Sequence, residues 1–336
     1  MNYDPAIAAA ISANPAFTEL FPPPPPGVSE LVHARKVAAG LFAPFAEYYA
    51  KKLPEPSQYV TFDKRIPVDG GEINATYVRP AGGPEDTYPV LVWFHAGGWM
   101  LGGLESDDIH LRTVSVELKL AVLNVDYRHS PEYTFPIPFE DSYTAVKWVV
   151  EHAVELKVDL KKGFLVGGDS AGGNMSAAIA LKARDDPFFS GRPLTGQYLR
   201  EPATVHPDAV PDKYKDELRS FSEFTDTPVL NTKTMNSFLT TYAPQPSDTR
   251  ISPLLAASHA GLPPAFVQVQ EFDPLRDEGK LYEKFLRQAG VPTKLIQYPG
   301  CFHAFHYCLP AIPPAVKLDR DAREGLKWLL AQKNES

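Results

Sequence analysis

The chain has 336 residues, a formal net charge of −8, and ordinary shares of hydrophobic (44%) and charged (22%) side chains. That length can bury a large core, as one sizeable domain plus an accessory layer or as two domains. An acidic chain without a Lys/Arg cluster argues against nucleic-acid binding, and no apolar run approaches the roughly 18 residues of a membrane span.

Two cysteines, Cys301 and Cys308, are too few for a disulfide framework. Met1 to Pro5 lack the basic and apolar regions of a secretory signal, so a reducing, cytoplasmic setting is expected. The 34 prolines point to many loops and an irregular accessory region. There is no internal repeat.

Residues 1–56 read as an N-terminal accessory segment. It holds a short helical patch from Ala6 to Ser12, a stiff polyproline connector from Pro22 to Pro26, and a helical stretch from Ser29 to Lys52 interrupted near Pro44. The core begins with strands over Gln58–Pro67 and Glu72–Arg79, joined by the hairpin turn Asp69-Gly70-Gly71. Val90 to Phe94 reads as a buried strand. Asp107-Asp108 reads as the cap of a helix through Leu118. Ala121 to Tyr127 is a second buried strand. Asp141 to Leu156 is helical, with Ala145, Trp148 and Val149 on one face. Gly163 to Val166 is a third buried strand, and Asn174 to Leu181 has high helix propensity. Strand and helix alternate, which implies an α/β fold with a mostly parallel central sheet and helices on both faces.

After Leu194 to Leu199 the rhythm breaks. Residues 203–250 are rich in Pro, Asp, Lys and Thr, with helical patches around Lys213–Phe221 and Thr232–Tyr242. They read as an insertion covering the active edge of the sheet. The alternation resumes with a strand over Ala265–Val269, a helix over Asp277–Gln288, a strand over Thr293–Tyr298 and a helix over Arg320–Lys333.

Gly168-Asp169-Ser170-Ala171-Gly172-Gly173 lies between a strand and a helix and contains the pattern G-x-S-x-G. A strand-to-helix turn that sharp needs neighbours without a Cβ, and it presents the serine hydroxyl above the sheet. A serine hydroxyl becomes a nucleophile when a base removes its proton, and the base is ordinarily a histidine oriented by a carboxylate. Four histidines follow Ser170: His206, His259, His303 and His306. His303, just after the last strand, is the best placed, and His306 is read as structural. Asp273 is the first aspartate after the preceding strand. Asp277 is the second choice, better suited to capping the next helix. Cys301, His303, His306 and Cys308 are metal-type ligands, but their spacing does not suit one tetrahedral ion, so no metal and no cofactor are expected.

Acyl transfer builds negative charge on a carbonyl oxygen, which preorganised N–H groups stabilise. The turn after Phe94 can supply two, from Gly97 and Gly98. Ala171, at the start of the helix after Ser170, can supply a third.

His95-Ala96-Gly97-Gly98-Trp99 resembles an H-G-G-G-[FW] motif. Tyr127-Arg128-His129-Ser130-Pro131-Glu132, with Phe135-Pro136 and Glu140-Asp141, resembles a Y-R-L-A-P-E…FP…ED block. Gly168 to Gly173 matches G-D-S-A-G-G, Asp273 to Glu278 matches D-P-L-R-D-E, and His303-Ala304-Phe305 resembles H-G-F. In this order they resemble the hormone-sensitive-lipase-like, or family IV, α/β-hydrolases. The departures are Ala96, His129, Ser130 and Ala304. Ala96 is tolerated if its φ is negative, and Ala304 should tighten the pocket.

The resemblance implies an α/β-hydrolase fold over residues 57–336. It also implies a cap built from residues 1–56 and about 203–250, and the first aspartate of D-P-L-R-D-E as the triad acid. Trp99 and Phe302 are expected to touch substrate. The activity implied is that of a serine carboxylesterase cleaving short-to-medium acyl esters through an acyl-enzyme. The proline content and the insertion resemble fungal relatives, some of which cleave acetyl groups from polyketide intermediates. An amidase or peptidase on the same triad, or a silent small-molecule binding protein of the same fold, are the alternatives. The expected partner is a small-molecule ester, and the chain is open to forming a homodimer.

Overall fold

The computed structural model describes residues 1–13, 23–83 and 85–332. Its centre is one eight-stranded sheet in the order β1-β2-β4-β3-β5-β6-β7-β8. Strands β1 (Tyr59–Val68) and β2 (Gly71–Pro80) form the antiparallel hairpin expected around Asp69-Gly70-Gly71, and β2 pairs antiparallel with β4 (Ala121–Asp126). The remaining pairs, through β3 (Val90–Phe94), β5 (Phe164–Asp169), β6 (Gly196–Arg200), β7 (Ala265–Phe272) and β8 (Thr293–Phe302), are all parallel. Every residue of β3, β5 and β6 is buried, so both faces of these strands are covered, which explains the unbroken apolar run of β3.

Ten α-helices occur among the described residues: α1 (Pro5–Ala13), α2 (Glu30–Ala50), α3 (Asp108–Leu118), α4 (Ile137–Glu151), α5 (Ala171–Asp185), α6 (Ser220–Glu223), α7 (Thr232–Tyr242), α8 (Arg276–Gln288), α9 (Phe305–Cys308) and α10 (Pro313–Ala331). Alternating strand residues divide the core. Val90, Val92 and Phe94 pack with Val149 of α4, Met175 of α5 and Leu281 of α8. Leu91 and Trp93 face the other layer, with Leu111 of α3 and Leu326 of α10.

Several boundaries differ from the sequence reading. Helix α2 runs unbroken through Pro44. Proline removes one backbone donor there, but Phe45 and Tyr49 anchor the helix by packing at 4.9 Å against Tyr307 and 4.6 Å against His110. Helix α10 starts at Pro313, ahead of the expected Arg320, with prolines in its first turn where no N–H is needed. Its expected end at Lys333 lies outside the described residues, as does Pro22 of the polyproline run. Asp107 does not cap α3 through its side chain. Its carboxylate accepts from Trp93 Nε1 at 2.9 Å and from the Tyr307 hydroxyl at 3.0 Å.

Strands β7 and β8 are longer than expected, and this positions the site. They pair as far as Phe272 opposite Phe302, after a register shift. Asp273 and His303, the next residue of each strand, therefore leave the sheet side by side.

No helix among the described residues is long and apolar enough to cross a membrane.

Candidate active site

Ser170 sits between β5 and α5 with φ 55° and ψ −112°, an unusual backbone for a residue with a side chain. Its neighbours explain how the turn closes. A Cβ on Gly172 would lie 1.9 Å from the Phe94 carbonyl oxygen, and one on Gly168 would lie 2.5 Å from the same atom. The Ser170 N–H donates to Arg200 O at 2.9 Å, tying the elbow to β6.

The structure brings three sequence-predicted residues into one hydrogen-bonded chain. Ser170 Oγ lies 3.0 Å from His303 Nε2, and His303 Nδ1 lies 2.8 Å from Asp273 Oδ2. With the Asp273 carboxylate accepting from Nδ1–H, Nε2 is left to accept the serine proton. The Leu275 N–H donates to the other oxygen, Asp273 Oδ1, at 2.8 Å. All three side chains are largely buried, Ser170 being the most open at 9%.

The alternatives lie elsewhere. His306 Nε2 faces Asp169 Oδ2 at 3.1 Å, and burial followed by the Arg200 charge pushes its pKa down to about 4. His206 receives the Asp208 N–H, and His259 contacts the Pro253 carbonyl. Asp277 lies inside α8 rather than at its cap. It accepts from the N–H groups of Arg219 and Ser220 at 3.0 and 2.8 Å, pinning the start of α6. Cys301, His303, His306 and Cys308 do not converge, and neither thiol joins any group of metal-type ligands among the described residues. Burial pushes both thiols up to about 12.

Gly97 and Gly98 line the same cavity as Ser170 and His303. Their φ values, 129° and 59°, are open to glycine. Ala96 keeps a negative φ, so its methyl group is tolerated. Among the described residues the N–H groups of Gly97, Gly98 and Ala171 reach no protein acceptor. Ala304 adopts φ 60°, so alanine here carries the strain that glycine would avoid, and its side chain joins the cavity wall.

The cavity at Ser170 is narrow, about 60 Å³. Leu41 and Phe42 of α2, Leu230, and Phe238 of α7 form its apolar walls. Helix α2 is held over it by Arg35, which binds both Glu132 carboxylate oxygens at 2.7 and 2.8 Å and reaches Met100 O and Ser130 O at 3.2 Å.

Trp99 and Phe302, expected to touch substrate, lie outside this lining. Trp99 is fully buried and stacks on Tyr242 at 4.8 Å. Phe302 is fully buried with Ile7 and Phe305.

Sequence reasoning passed over a buried polar layer beside His303. Arg200 Nε binds Asp169 Oδ2 at 2.5 Å, and its Nη2 donates to the Tyr307 hydroxyl at 3.2 Å. Burial raises the Asp169 carboxyl pKa, but Arg200 and His306 outweigh that and hold it below the usual carboxylate range. Glu201 is the opposite case. Burial first, then the charges of Asp169 and Asp273, push its pKa well up. Asp169 Oδ1 is buried without a hydrogen-bond partner among the described residues. The available signal was two adjacent charges, Arg200-Glu201, directly after Tyr198-Leu199.

Three groups of His and Asp/Glu side chains are close enough to share an ion. Two, Asp169–Glu201–His306 and Glu201–Asp273–His303, are fully buried and belong to the hydrogen-bonded layers just described. The third, His95–Asp126–His129, faces a different cavity.

A family model described as alpha/beta hydrolase fold matches residues 91–307. The versiconal hemiacetal acetate esterase of Dothistroma septosporum is 34% identical over 275 residues, covering 81% of this chain and 83% of its own. The carboxylesterase NlhH of Mycobacterium tuberculosis is 40% identical over 251 residues, covering 73% and 75%. Among solved structures, vibralactone cyclase superposes with a TM-score of 0.92 at 37% identity, covering 99% of this chain and 96% of its own. With the serine elbow, the parallel sheet and these matches together, the chain belongs to the alpha/beta hydrolases, in their hormone-sensitive-lipase-like branch.

Proposed function

We propose that this carboxylic ester hydrolase acts through Ser170 as nucleophile, His303 as general base and then general acid, and Asp273 as the carboxylate that orients the imidazole. The observation that carries this reading is the continuous contact from Asp273 Oδ2 to His303 to Ser170 Oγ, at 2.8 and 3.0 Å. Ser170 Oγ attacks the ester carbonyl while its proton passes to His303 Nε2. The tetrahedral oxyanion is received by the N–H groups of Gly97, Gly98 and Ala171. Collapse expels the alcohol, which takes the proton from Nε2 and leaves an acyl-enzyme. Water, losing a proton to His303, then releases the acid and restores Ser170.

Residues 1–56 and about 203–250 act as a cap that selects the substrate. The wall formed by Leu41, Phe42, Leu230 and Phe238 supports this role, because α2 and the insertion supply all four. A cavity of about 60 Å³ supports a short acyl group, since a single water already needs roughly 10–15 Å³ of such space. The similarity to an esterase named for an acetate substrate points the same way.

The test is hydrolysis of p-nitrophenyl esters from acetate to dodecanoate, with Ser170→Ala beside wild type. Turnover should be highest for the short esters. The substitution should lower kcat by on the order of 10⁴–10⁶. Equal activity in both proteins would overturn the assignment.

A second reading is favoured by the near-complete superposition on a protein named as a cyclase. In ring closure an internal hydroxyl of the substrate replaces water in the second step. A hydroxy-acyl ester would then yield lactone rather than free acid, which product analysis distinguishes.

A further inference from the structure

His95 directly follows β3 and is buried, and its Nδ1 lies 2.7 Å from the Ala96 carbonyl oxygen. A carbonyl only accepts, so the ring proton sits on Nδ1 and Nε2 presents a lone pair. That Nε2 lies 3.3 Å from His129 Nε2. Asp126, the last residue of β4, adds a carboxylate oxygen, and the three ligand atoms lie within 4.8 Å of one another. Asp126 and His129 line a cavity of about 780 Å³, distinct from the one at Ser170 although Phe42 borders both.

Two readings fit a close pair of imidazole nitrogens. One is a plain hydrogen bond from His129 Nε2–H to His95 Nε2. The other is a metal site. Nitrogen ligands about 2.0–2.1 Å from a tetrahedral zinc ion stand about 3.3–3.4 Å apart, which is the separation seen here.

Three further observations favour the metal. The contact between Nδ1 and a backbone carbonyl is the support that orients a ligating imidazole. The His95 ring is stacked on Tyr127 at 4.3 Å, so it is already fixed in place. The charge around the pair is negative. Glu105 and Glu132 line the cavity beside Asp126. The one guanidinium in that wall, Arg35, is bound to Glu132, and among the described residues neither Asp126 nor Glu105 has a Lys or Arg partner.

We propose that His95 Nε2, His129 Nε2 and the Asp126 carboxylate form a site for a divalent transition-metal ion of the zinc type, with its fourth position open to the cavity. Two histidines and one carboxylate with a free position make a recognised zinc donor set. Because His95 immediately precedes Ala96-Gly97-Gly98, the bound ion would brace the turn that faces Ser170.

The full chain, stripped with a chelator, is titrated with zinc sulfate by calorimetry and with Co²⁺ by visible absorption. Wild type should bind one equivalent and give the intense bands of tetrahedral cobalt. His129→Leu should weaken binding on the order of 100-fold and abolish the bands, since it removes one of three ligands. Asp126→Asn should weaken binding on the order of 10-fold, and it carries the test if His129→Leu fails to fold. Metal-free melting curves check both variants. Absence of binding to wild type at tens of micromolar zinc would overturn the proposal and leave the hydrogen bond. So would binding unchanged in His129→Leu, which would put the ion elsewhere.

Discussion

Phe272 and Phe302 stand opposite each other across the parallel pair β7 and β8. The residue after each is Asp273 or His303, so the strand register sets which carboxylate meets which imidazole. Phe302 is fully buried in this role. Phe302→Ala should cost about 3–5 kcal/mol of stability and lower kcat, because the ends of both strands lose their common anchor. Urea denaturation and ester turnover check the two effects. A variant as stable as wild type would remove Phe302 from the account of the register.

The elbow allows a separate test at Gly172. An added Cβ would lie 1.9 Å from Phe94 O and 2.9 Å from His95 O, both backbone atoms that cannot swing aside. Gly172→Ala should therefore destabilise the protein by about 3 kcal/mol or more, seen as a lower melting temperature. A neutral result would mean that α5 and β3 are not in the close contact described.

Glu201 gives a pH-dependent prediction. Both its oxygens lie 3.0 Å from the Ala304 nitrogen, one residue past His303. Burial, then Asp169 and Asp273, raise its pKa well above the ordinary value of 4.5. The native state thus keeps a proton that the unfolded chain releases above about pH 4.5. The stabilising contribution is full below that pH and is lost as pH rises toward the folded value. Glu201→Gln lacks this titration. Its stability relative to wild type should rise with pH from about 4.5 upward, by at most about 1.4 kcal/mol per pH unit, with ester turnover retained. Parallel stability curves would mean that Glu201 is ionised in the native protein.

How much of this was legible in the sequence depended on whether the constraint was local. The elbow, the two glycines after His95 and the acid-then-histidine order each occupy a few consecutive residues, so the sequence alone could put forward Ser170, Asp273 and His303, which the structure brings into contact. The hairpin at Asp69-Gly70-Gly71 was legible for the same reason. Side-chain direction was not. Trp99 and Phe302 adjoin motif residues, but burial turns them into the core. Asp107 had the composition of a helix cap, yet it serves Trp93 and Tyr307, the latter 200 residues away. The Asp169–Arg200 pair exists because β5 and β6 are register partners there, and no sequence spacing encodes that. Pro44 misled because local propensity yields to the packing of Phe45 and Tyr49.

The cavity wall makes Phe238 the residue to change for specificity. A Cβ on Gly98 would lie 2.4 Å from its ring, so the ring closely covers the turn beside Ser170. Phe238→Ala should open the wall and move the preferred p-nitrophenyl ester to longer acyl chains, with kcat/KM for the acetate falling. An unchanged chain-length profile would place the acyl group elsewhere.

The most direct test of the central claim is covalent trapping. Wild type, Ser170→Ala and His303→Ala are treated with a fluorophosphonate and weighed intact, and the labelled peptide is mapped. The account predicts one phosphonyl group on wild type, carried by Ser170. It predicts none on Ser170→Ala, and labelling slowed by on the order of 10³ or more in His303→Ala. A label on any other residue, or an unlabelled wild type that still hydrolyses esters, would contradict it.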